Sequence, residues 1–412
     1  MEHTFIILFA IATAVAIAVS RTRVPYTVAL VAVGLAVGSL RIVEPPHLTK
    51  ELLFSIFLPG LVFEAAYNMH ARELRESWRT VTALAGPGLL LAIAITALLT
   101  VGSLHALGLA RDFTWADGVV FASLVSATDP IAVVSLFRKL GVSPRLTTIV
   151  EAESLFNDGT SIVALTLVLA YVGGESTSAW ALAGRFVLVV CGGGVVGGLI
   201  AYAIIRLTRH IDDAMIEITL TTIAAYGSFV VADDLRLSGV IATVVAGMVF
   251  GTIARESAFS IETRTTADVF WRYLAFALNS IVFLLIGFEV RPGMLVSAAG
   301  IIVVAYVALL AARLSVVYGT AWLFTGTRER VPRPWAALIT WGGLRGALAM
   351  VLALALPASF AHRQLLVNMT FGVVVVSLLL QGLTIPGAAN RWARAGDTHE
   401  GANGHASTLP RA

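Results

Sequence analysis

Apolar runs of about 18 to 28 residues recur from Thr4 to Ala388, broken by short clusters of Arg, Pro and Gly. A helix needs roughly 20 apolar residues to cross a hydrocarbon core of about 30 Å, so these runs read as membrane spans rather than as amphipathic faces of a soluble core. The breaks divide the chain into about thirteen candidate helices, near 4–20, 24–40, 51–68, 80–106, 115–137, 146–172, 181–205, 213–232, 237–254, 267–289, 294–325, 335–358 and 364–388. The pattern predicts an all-α polytopic membrane protein with a single membrane domain over 1–389. Asn390 to Ala412 is polar, rich in Gly and Ala and without apolar periodicity, so a short disordered cytoplasmic tail is expected there.

Composition narrows the function classes. Of 412 residues, 58% are hydrophobic and 13% charged, with a mean hydropathy of +0.88. Soluble domains carry about 25% charged residues, which excludes a soluble enzyme. A net charge of +3 would suggest a nucleic-acid partner in a soluble protein, but here Lys and Arg fall in short loops and report topology. With the N-terminus outside, the inner loops collect most of the 28 basic residues, among them Arg72, Arg75, Arg79, Arg138, Lys139, Arg145, Arg328, Arg330 and Arg333. The outer side keeps only Arg41, Lys50, Arg111, Arg185, Arg236, Arg291 and Arg363, so the positive-inside rule predicts an external N-terminus and a cytoplasmic C-terminus. Acidic Met1-Glu2-His3 precedes the first run and Arg21 and Arg23 follow it, the reverse of a signal peptide, so 4–20 reads as a span. Trp78, Trp115, Trp180, Trp271 and Trp335 fall at or near span ends, where indoles anchor among headgroups. The single Cys191 lies in an apolar run and reads as a packing residue, leaving no disulfide or thiolate metal site. All eight histidines fall in or near loops and tails, where they read as solvated; pH sensing by His70 or His210 is the alternative.

Ionised groups in hydrocarbon are costly unless paired or hydrated, so each intramembrane acid or base is a functional candidate. Those candidates are Glu64, Asp129, Glu151, Glu153 and Asp158, with Asn157 beside the last, and the bases Arg313 and Arg345. Pro130 lacks an amide hydrogen and disfavours helical geometry at Asp129, so the fifth span is predicted to break there and to free carbonyls beside a carboxylate. Discontinuous transporter helices offer hard oxygen ligands to cations in this way; a proline kink with an incidental acid is the bland alternative. Asp158 lies roughly 18 Å along the sixth span from Leu146, and Asp129 roughly 21 Å from Trp115 on the opposite approach, so both reach similar depth. Ser154 and Asp158 are four residues apart and share a face, whereas Glu153 points about 140° away and needs another partner. In the twelfth span, Trp341-Gly342-Gly343-Leu344-Arg345-Gly346-Ala347 is a second interruption. If spans one to six and eight to thirteen are inverted repeats, the two interruptions correspond, which points to a transporter site between them. Gly192-Gly193-Gly194 and Gly197-Gly198 read as close helix packing.

Phe57-Leu58-Pro59 through Phe63-Glu64, Thr128-Asp129-Pro130, Glu151-Ala152-Glu153-Ser154-Leu155-Phe156-Asn157-Asp158-Gly159 and Gly342-Gly343-Leu344-Arg345-Gly346 occur in that order. Together they resemble the sodium/proton exchangers of the NhaP and NHE branch of the monovalent cation:proton antiporters. The resemblance implies an NhaA-like antiporter fold of thirteen spans, with repeat one over about 1–172, a linking helix over about 181–205 and repeat two over about 213–388. It further implies a homodimer in the cytoplasmic membrane of a prokaryote, serving pH homeostasis, with no cofactor. Carried onto this chain, Asp158 would bind cation and proton in turn, with Asp129, Ser154 and the Thr128 backbone as further Na⁺ ligands and Glu64 contributing indirectly through water. Asn157 stands where electrogenic relatives have a second aspartate, the electroneutral pattern. Glu153 and Arg345 match the structural ion pair of the family, and Arg313 a second buried arginine without an assigned partner. Gly60 replaces a frequent second proline, and the long regulatory domain of animal relatives is not found.

The expected activity is secondary active exchange of Na⁺ or Li⁺ for H⁺, one for one, with cation and proton competing for Asp158. A K⁺/H⁺ antiporter on the same scaffold is the nearest alternative, and a sodium-coupled solute symporter a more distant one. Enzyme motifs such as His-Glu-x-x-His, a nucleophile elbow or a phosphate-cradling glycine loop are missing from the sequence.

Overall fold

The computed structural model describes residues 2–20, 24–40, 49–174, 178–208, 213–255 and 259–392, together with Thr22 and Ile211. The expected disordered tail, beyond residue 392, and the expectations for Arg21, Arg23, Arg41, His47, His210, His399 and His405 lie outside the described residues. Every regular element among the described residues is helical. In chain order these are α1 (Glu2–Val19), α2 (Tyr26–Ser39), α3 (Leu53–Tyr67), α4 (Ala71–Ala106), α5 (Trp115–Leu124), α6 (Ile131–Leu140), α7 (Pro144–Val172) and α8 (Ala179–Thr208). They are followed by α9 (Ala214–Asp234), α10 (Gly239–Ala254), α11 (Ile261–Glu289), α12 (Pro292–Ser297), α13 (Ala299–Leu323), α14 (Arg333–Trp341), α15 (Ala347–Leu354) and α16 (Arg363–Trp392). Seven of them, α4, α7, α8, α9, α11, α13 and α16, are long and apolar enough to cross a membrane.

Local chemistry sets the boundaries. Both predicted interruptions form: helix stops at Leu124 and resumes at Ile131 across Asp129-Pro130, and stops at Trp341 and resumes at Ala347 across the glycine-rich stretch. Two other prolines are absorbed without a break. Pro59 follows a π-helical turn over Leu53–Phe57, and Pro87 lies in one over Leu84–Gly88; widening the turn relieves the missing N–H and the ring's clash with the preceding turn. α4 consequently runs unbroken for 36 residues and starts at Ala71, ahead of the boundary near 80 predicted from hydrophobicity. Its first turns, with Arg72, Arg75 and Arg79, are amphipathic and lie outside the apolar window that the sequence marks. At the other end of α6, Gly141 takes a left-handed conformation (φ 67°) that ends the helix before Pro144 opens α7.

Small residues let helices touch backbone to backbone. A Cβ at Gly193 or Gly197 of α8 would run into the carbonyl oxygens of Ser238 and Ala242 beside and within α10, as the glycine run suggested. Gly34 of α2 and Gly287 of α11 face each other in the same manner. Three expectations need correction. Trp271 and Trp335 are fully buried instead of anchoring at headgroups. Trp271 packs against Phe63 at 4.5 Å and donates from Nε1 to Thr221 Oγ1 at 3.0 Å, a partner that only the folded chain supplies. Cys191 is exposed on α8, because the glycines around it, not the thiol, make the helix contact. Trp78, Trp115 and Trp180 are exposed, as headgroup anchors would be.

His362 is also more than a solvated loop histidine. Its Nδ1 lies 2.8 Å from Asp117 Oδ2 and its Nε2 3.4 Å from Asp112. Asp117 is at the same time the capping-box residue of α5, accepting from the Thr114 N–H at 2.7 Å and the Thr114 hydroxyl at 2.6 Å. The imidazole therefore ties the start of α5 to the loop between α15 and α16. Its hydrogen bond with Asp117 raises its pKa above the ordinary histidine value. A raised folded-state pKa adds stability that is full below the unfolded value of about 6.5 and disappears as pH rises through the folded value. His362→Gln should lower the Tm in detergent more at about pH 6 than at about pH 9; equal losses at both would mean that packing, not charge, holds this loop.

Candidate functional site

The two interruptions cross and complete each other's backbone. The Asp129 N–H donates to the Leu344 carbonyl at 2.8 Å, and Arg345 Nη1 donates to the carbonyls of Ser126 at 2.8 Å and Ala127 at 2.9 Å. Those carbonyls lie at the C-terminal, electronegative end of α5, where a guanidinium is well placed. Asp129 occupies the complementary position: its Oδ1 accepts from the Ile131 N–H at 3.0 Å, at the electropositive start of α6. Gly346, the residue before α15, lies so close that a side chain there would run into the Asp129 carboxylate. The Arg345 N–H donates to Ser377 Oγ at 3.1 Å, tying the crossing to α16.

Beside the crossing lies a cavity of about 90 Å³, lined by Thr128, Asp129, Asp158, Asn279 and Gly346 with apolar residues of α3 and α11. Sequence reasoning placed Asp129 and Asp158 at one depth, and the structure brings both to this cavity. The Asp158 carboxylate makes no hydrogen bond or ion pair with any described residue. Two carboxylates facing one small, largely apolar space repel each other, and a proton or a cation between them relieves that repulsion. The cavity has room for a monovalent ion with several waters.

The other candidate residues sort around this space. Ser154 Oγ donates to the Thr128 carbonyl at 3.0 Å and lies 2.6 Å from the Thr128 hydroxyl, so it holds Thr128 in place from behind the cavity wall. Glu64 is held by the Asn68 amide at 2.9 Å, and it is Leu61, Val62 and Ala65 of the same helix that line the cavity. Asn157 donates to Thr128 Oγ1 at 3.4 Å and also to Glu153 Oε1. An aspartate at 157 could make neither donation and would set a second carboxylate against Glu153.

The expected ion pair is different from the one formed. Arg313 of α13, not Arg345, pairs with Glu153, through Nη1–Oε1 at 2.6 Å and Nη2–Oε2 at 2.9 Å. Arg345 is committed to the α5 carbonyls, and Arg313 presents a two-pronged fork that matches the carboxylate. All three groups are buried and line a second cavity of about 20 Å³ with Asn157, separate from that of Asp158. Glu151 finds its own partner in Arg138, at 2.9 and 3.1 Å.

One polar residue of the main cavity, Asn279, is not among the intramembrane charges. Asn279 of α11 is neutral, but its Oδ1 is buried at the cavity without a hydrogen-bond partner. The adjacent Ser280 is satisfied by the Tyr26 hydroxyl at 2.8 Å. An amide in the run Ala277-Leu278-Asn279-Ser280-Ile281-Val282-Phe283 is the signal that would have revealed it.

The pairing carries a stability prediction. Removing one partner of a buried ion pair costs about 3 to 5 kcal/mol. Glu153→Ala and Arg313→Ala should each lower the Tm sharply, and the double variant should lose much less than their sum. Glu153→Ala with Arg345→Ala should come closer to additive, and the opposite ranking of the two cycles would restore Arg345 as the partner.

Comparison with known proteins bears on the whole arrangement. Residues 6–391 match the family model described as sodium/hydrogen exchanger, transmembrane. The chain is 36% identical over 368 residues to the low-affinity Na⁺/H⁺ antiporter NhaS1 of Synechocystis, covering 88% of this chain and 68% of that protein. It is 35% identical over 395 residues to the Na⁺/H⁺ antiporter NhaH of Halobacillus dabanensis, covering 92% and 95% of the two. Among solved structures, the sodium proton antiporter MjNhaP1 of Methanocaldococcus jannaschii superposes with a TM-score of 0.78 at 19% identity, over 95% of this chain and 98% of that one, a likeness of fold. A match that includes both interrupted helices and every candidate site residue makes the chain a member of the sodium/hydrogen exchanger family.

Proposed function

We propose that the protein is a secondary active antiporter that exchanges Na⁺ for H⁺ across the membrane, with Asp158 as the group that both ions use. The observation that carries this is the Asp158 carboxylate, unpartnered in a cavity shared with Asp129 at the crossing of two broken helices. Cation and proton compete for the same oxygens, so each displaces the other. A bare carboxylate resists transfer through hydrocarbon whereas a neutralised one does not, which couples the two fluxes. Asp129 and the Thr128 carbonyl complete a hard-oxygen ligand set suited to a small monovalent cation, with Ser154 ordering Thr128 and Glu64 acting through water. Asn157, locked between Glu153 and Thr128, carries no proton, and one H⁺ per Na⁺ makes the exchange electroneutral.

On this proposal the helices form thirteen spans in two inverted repeats, 1–172 and 213–388, joined by a linking helix at 181–205. The N-terminus is outside and the C-terminus cytoplasmic, in the inner membrane of a prokaryote, and the protein is a homodimer working in pH homeostasis without a resident cofactor. A K⁺/H⁺ exchanger would use the same residues, and assaying each cation separates the two. A solute symporter is disfavoured by a cavity of about 90 Å³.

In proteoliposomes, an imposed pH gradient should drive Na⁺ counterflow that does not respond to membrane potential. Asp158→Asn should abolish it while the protein purifies and melts normally, and Asp129→Asn should abolish it or weaken cation affinity severely. Wild-type rates in either folded variant would remove the site from this cavity; a flux that follows potential would show a second acid cycling its proton.

Asn279 should act on the cation alone. Its unpartnered amide oxygen faces the same cavity from α11 and supplies a further neutral ligand. Asn279→Leu should raise the KM for Na⁺ about tenfold or more, the equivalent of about 1.4 kcal/mol, with a smaller change in maximal rate. An unchanged KM would mean that the amide has no part in binding.

A further inference from the structure

At the end of the molecule that positive-inside counting assigns to the cytoplasm, three segments distant in sequence converge on one pocket of about 650 Å³. Arg75, Trp78 and Arg79 come from the first turns of α4, Arg145 from the start of α7, and Arg328 and Glu329 from the loop between α13 and α14. The inner-side excess of arginine explains why each loop is basic. It does not require that four guanidiniums share a cavity with two carboxylates, Glu76 and Glu329.

The two acids are largely engaged elsewhere. Glu329 is buried and accepts from the Thr80 N–H at 2.9 Å, with Arg79 only at 4.0 Å; Glu76 pairs with Arg72 at 3.2 Å. Arg145 is fixed in direction by Ser77 Oγ at 3.1 Å, the Arg330 carbonyl at 3.3 Å and the ring of Trp335 at 5.6 Å. Arg75 and Arg328 have neither an ion pair nor a hydrogen bond with any described residue. Arg75 and Arg328 therefore bring unneutralised positive charge to a pocket in which Arg145 is already oriented, which is the chemistry of a phosphate site.

Its position identifies the source of the phosphate. At 1.5 Å per residue the 36 residues of α4 span about 54 Å, far more than a hydrocarbon core of about 30 Å, so the polar first turns extend through the headgroup layer. Trp78 in the pocket wall is 52% exposed and Trp322 at the nearby end of α13 is 79% exposed, the placement of interfacial aromatic anchors. A basic pocket between helix ends at that depth meets lipid headgroups before it meets soluble anions.

We propose that Arg75, Arg79, Arg145 and Arg328 form a binding site for the phosphate of an anionic phospholipid, which bridges the inner ends of α4 and α7 to the loop before α14. The site is separate from the ion cavity and rests on the membrane embedding, not on the identity of the transported ion.

The test uses purified full-length protein in detergent, with melting followed after addition of phosphatidylglycerol, cardiolipin, phosphatidylcholine or inorganic phosphate, and bound lipid counted by native mass spectrometry. Phosphatidylglycerol or cardiolipin should raise the Tm beyond phosphatidylcholine, and Arg75→Gln with Arg328→Gln should remove at least half of that increment. A control pair on the same side, Arg206→Gln with Arg391→Gln, should keep it. Because Arg75 and Arg328 are exposed and unpaired, their loss should leave the fold intact, and Arg328→Gln alone provides a milder variant with a smaller loss of bound lipid. Asp158→Asn should retain the full lipid response, so failure of the transport proposal would leave this one standing. A double variant with an undiminished increment would overturn the site, and equal stabilisation by inorganic phosphate would make it a site for a soluble anion instead.

Discussion

A hydrogen bond from the Asp129 N–H to the Leu344 carbonyl joins two helices that each stop in the middle of the protein. Backbone groups left open at that depth cost several kcal/mol each, and irregular chain survives there only when protein groups or a lined cavity satisfy it. Each interruption meets that need for the other. Leu344 and Arg345 serve the chain around Asp129, and Ser126 and Ala127 give Arg345 acceptors in return. Neither break would be tolerable alone, so the cavity beside them is a consequence of their pairing.

From this crossing the buried charges divide into two groups. Glu153 with Arg313, Glu151 with Arg138 and Arg345 with its carbonyls bond to groups on other elements or across the break, and they fix the helices relative to one another. Asp158 and Asp129 share a cavity in which no cationic side chain among the described residues answers them. Asn157 stands between the groups, donating to the structural carboxylate Glu153 and to Thr128 at the cavity wall. A neutral amide serves both neighbours where an acid would repel one of them.

The two ends of the molecule carry different chemistry. At one, His362 joins Asp117 and Asp112 and links the start of α5 to the loop that follows α15, so a titratable contact spans one end of both broken helices. At the other, Arg75 and Arg79 of α4, Arg145 of α7 and Arg328 of the loop before α14 converge on one pocket with Glu76 and Glu329. Local instructions also end differently along the chain: Pro130 breaks a helix at a carboxylate, whereas Pro59 and Pro87 are absorbed by widened turns in continuous helices.

What the sequence determined by itself was written in local order. Apolar run length dictated membrane helices, Pro130 and the glycines around Arg345 dictated the breaks, and a four-residue spacing put Ser154 and Asp158 on one face of α7. Contacts between distant elements were decided only by the tertiary structure. Two arginines stood within reach of Glu153, and nothing in their local sequence says that Arg345 is consumed by the Ser126 and Ala127 carbonyls while Arg313 swings in from α13. Trp271 and Trp335 show the same limit, since an indole at a span end is apolar enough for headgroup or core, and the packing of neighbouring helices chooses between them. Asn279 faces Asp158 and Asp129 from a helix more than a hundred residues further along, and only folding gives that uncharged amide its place at the cavity.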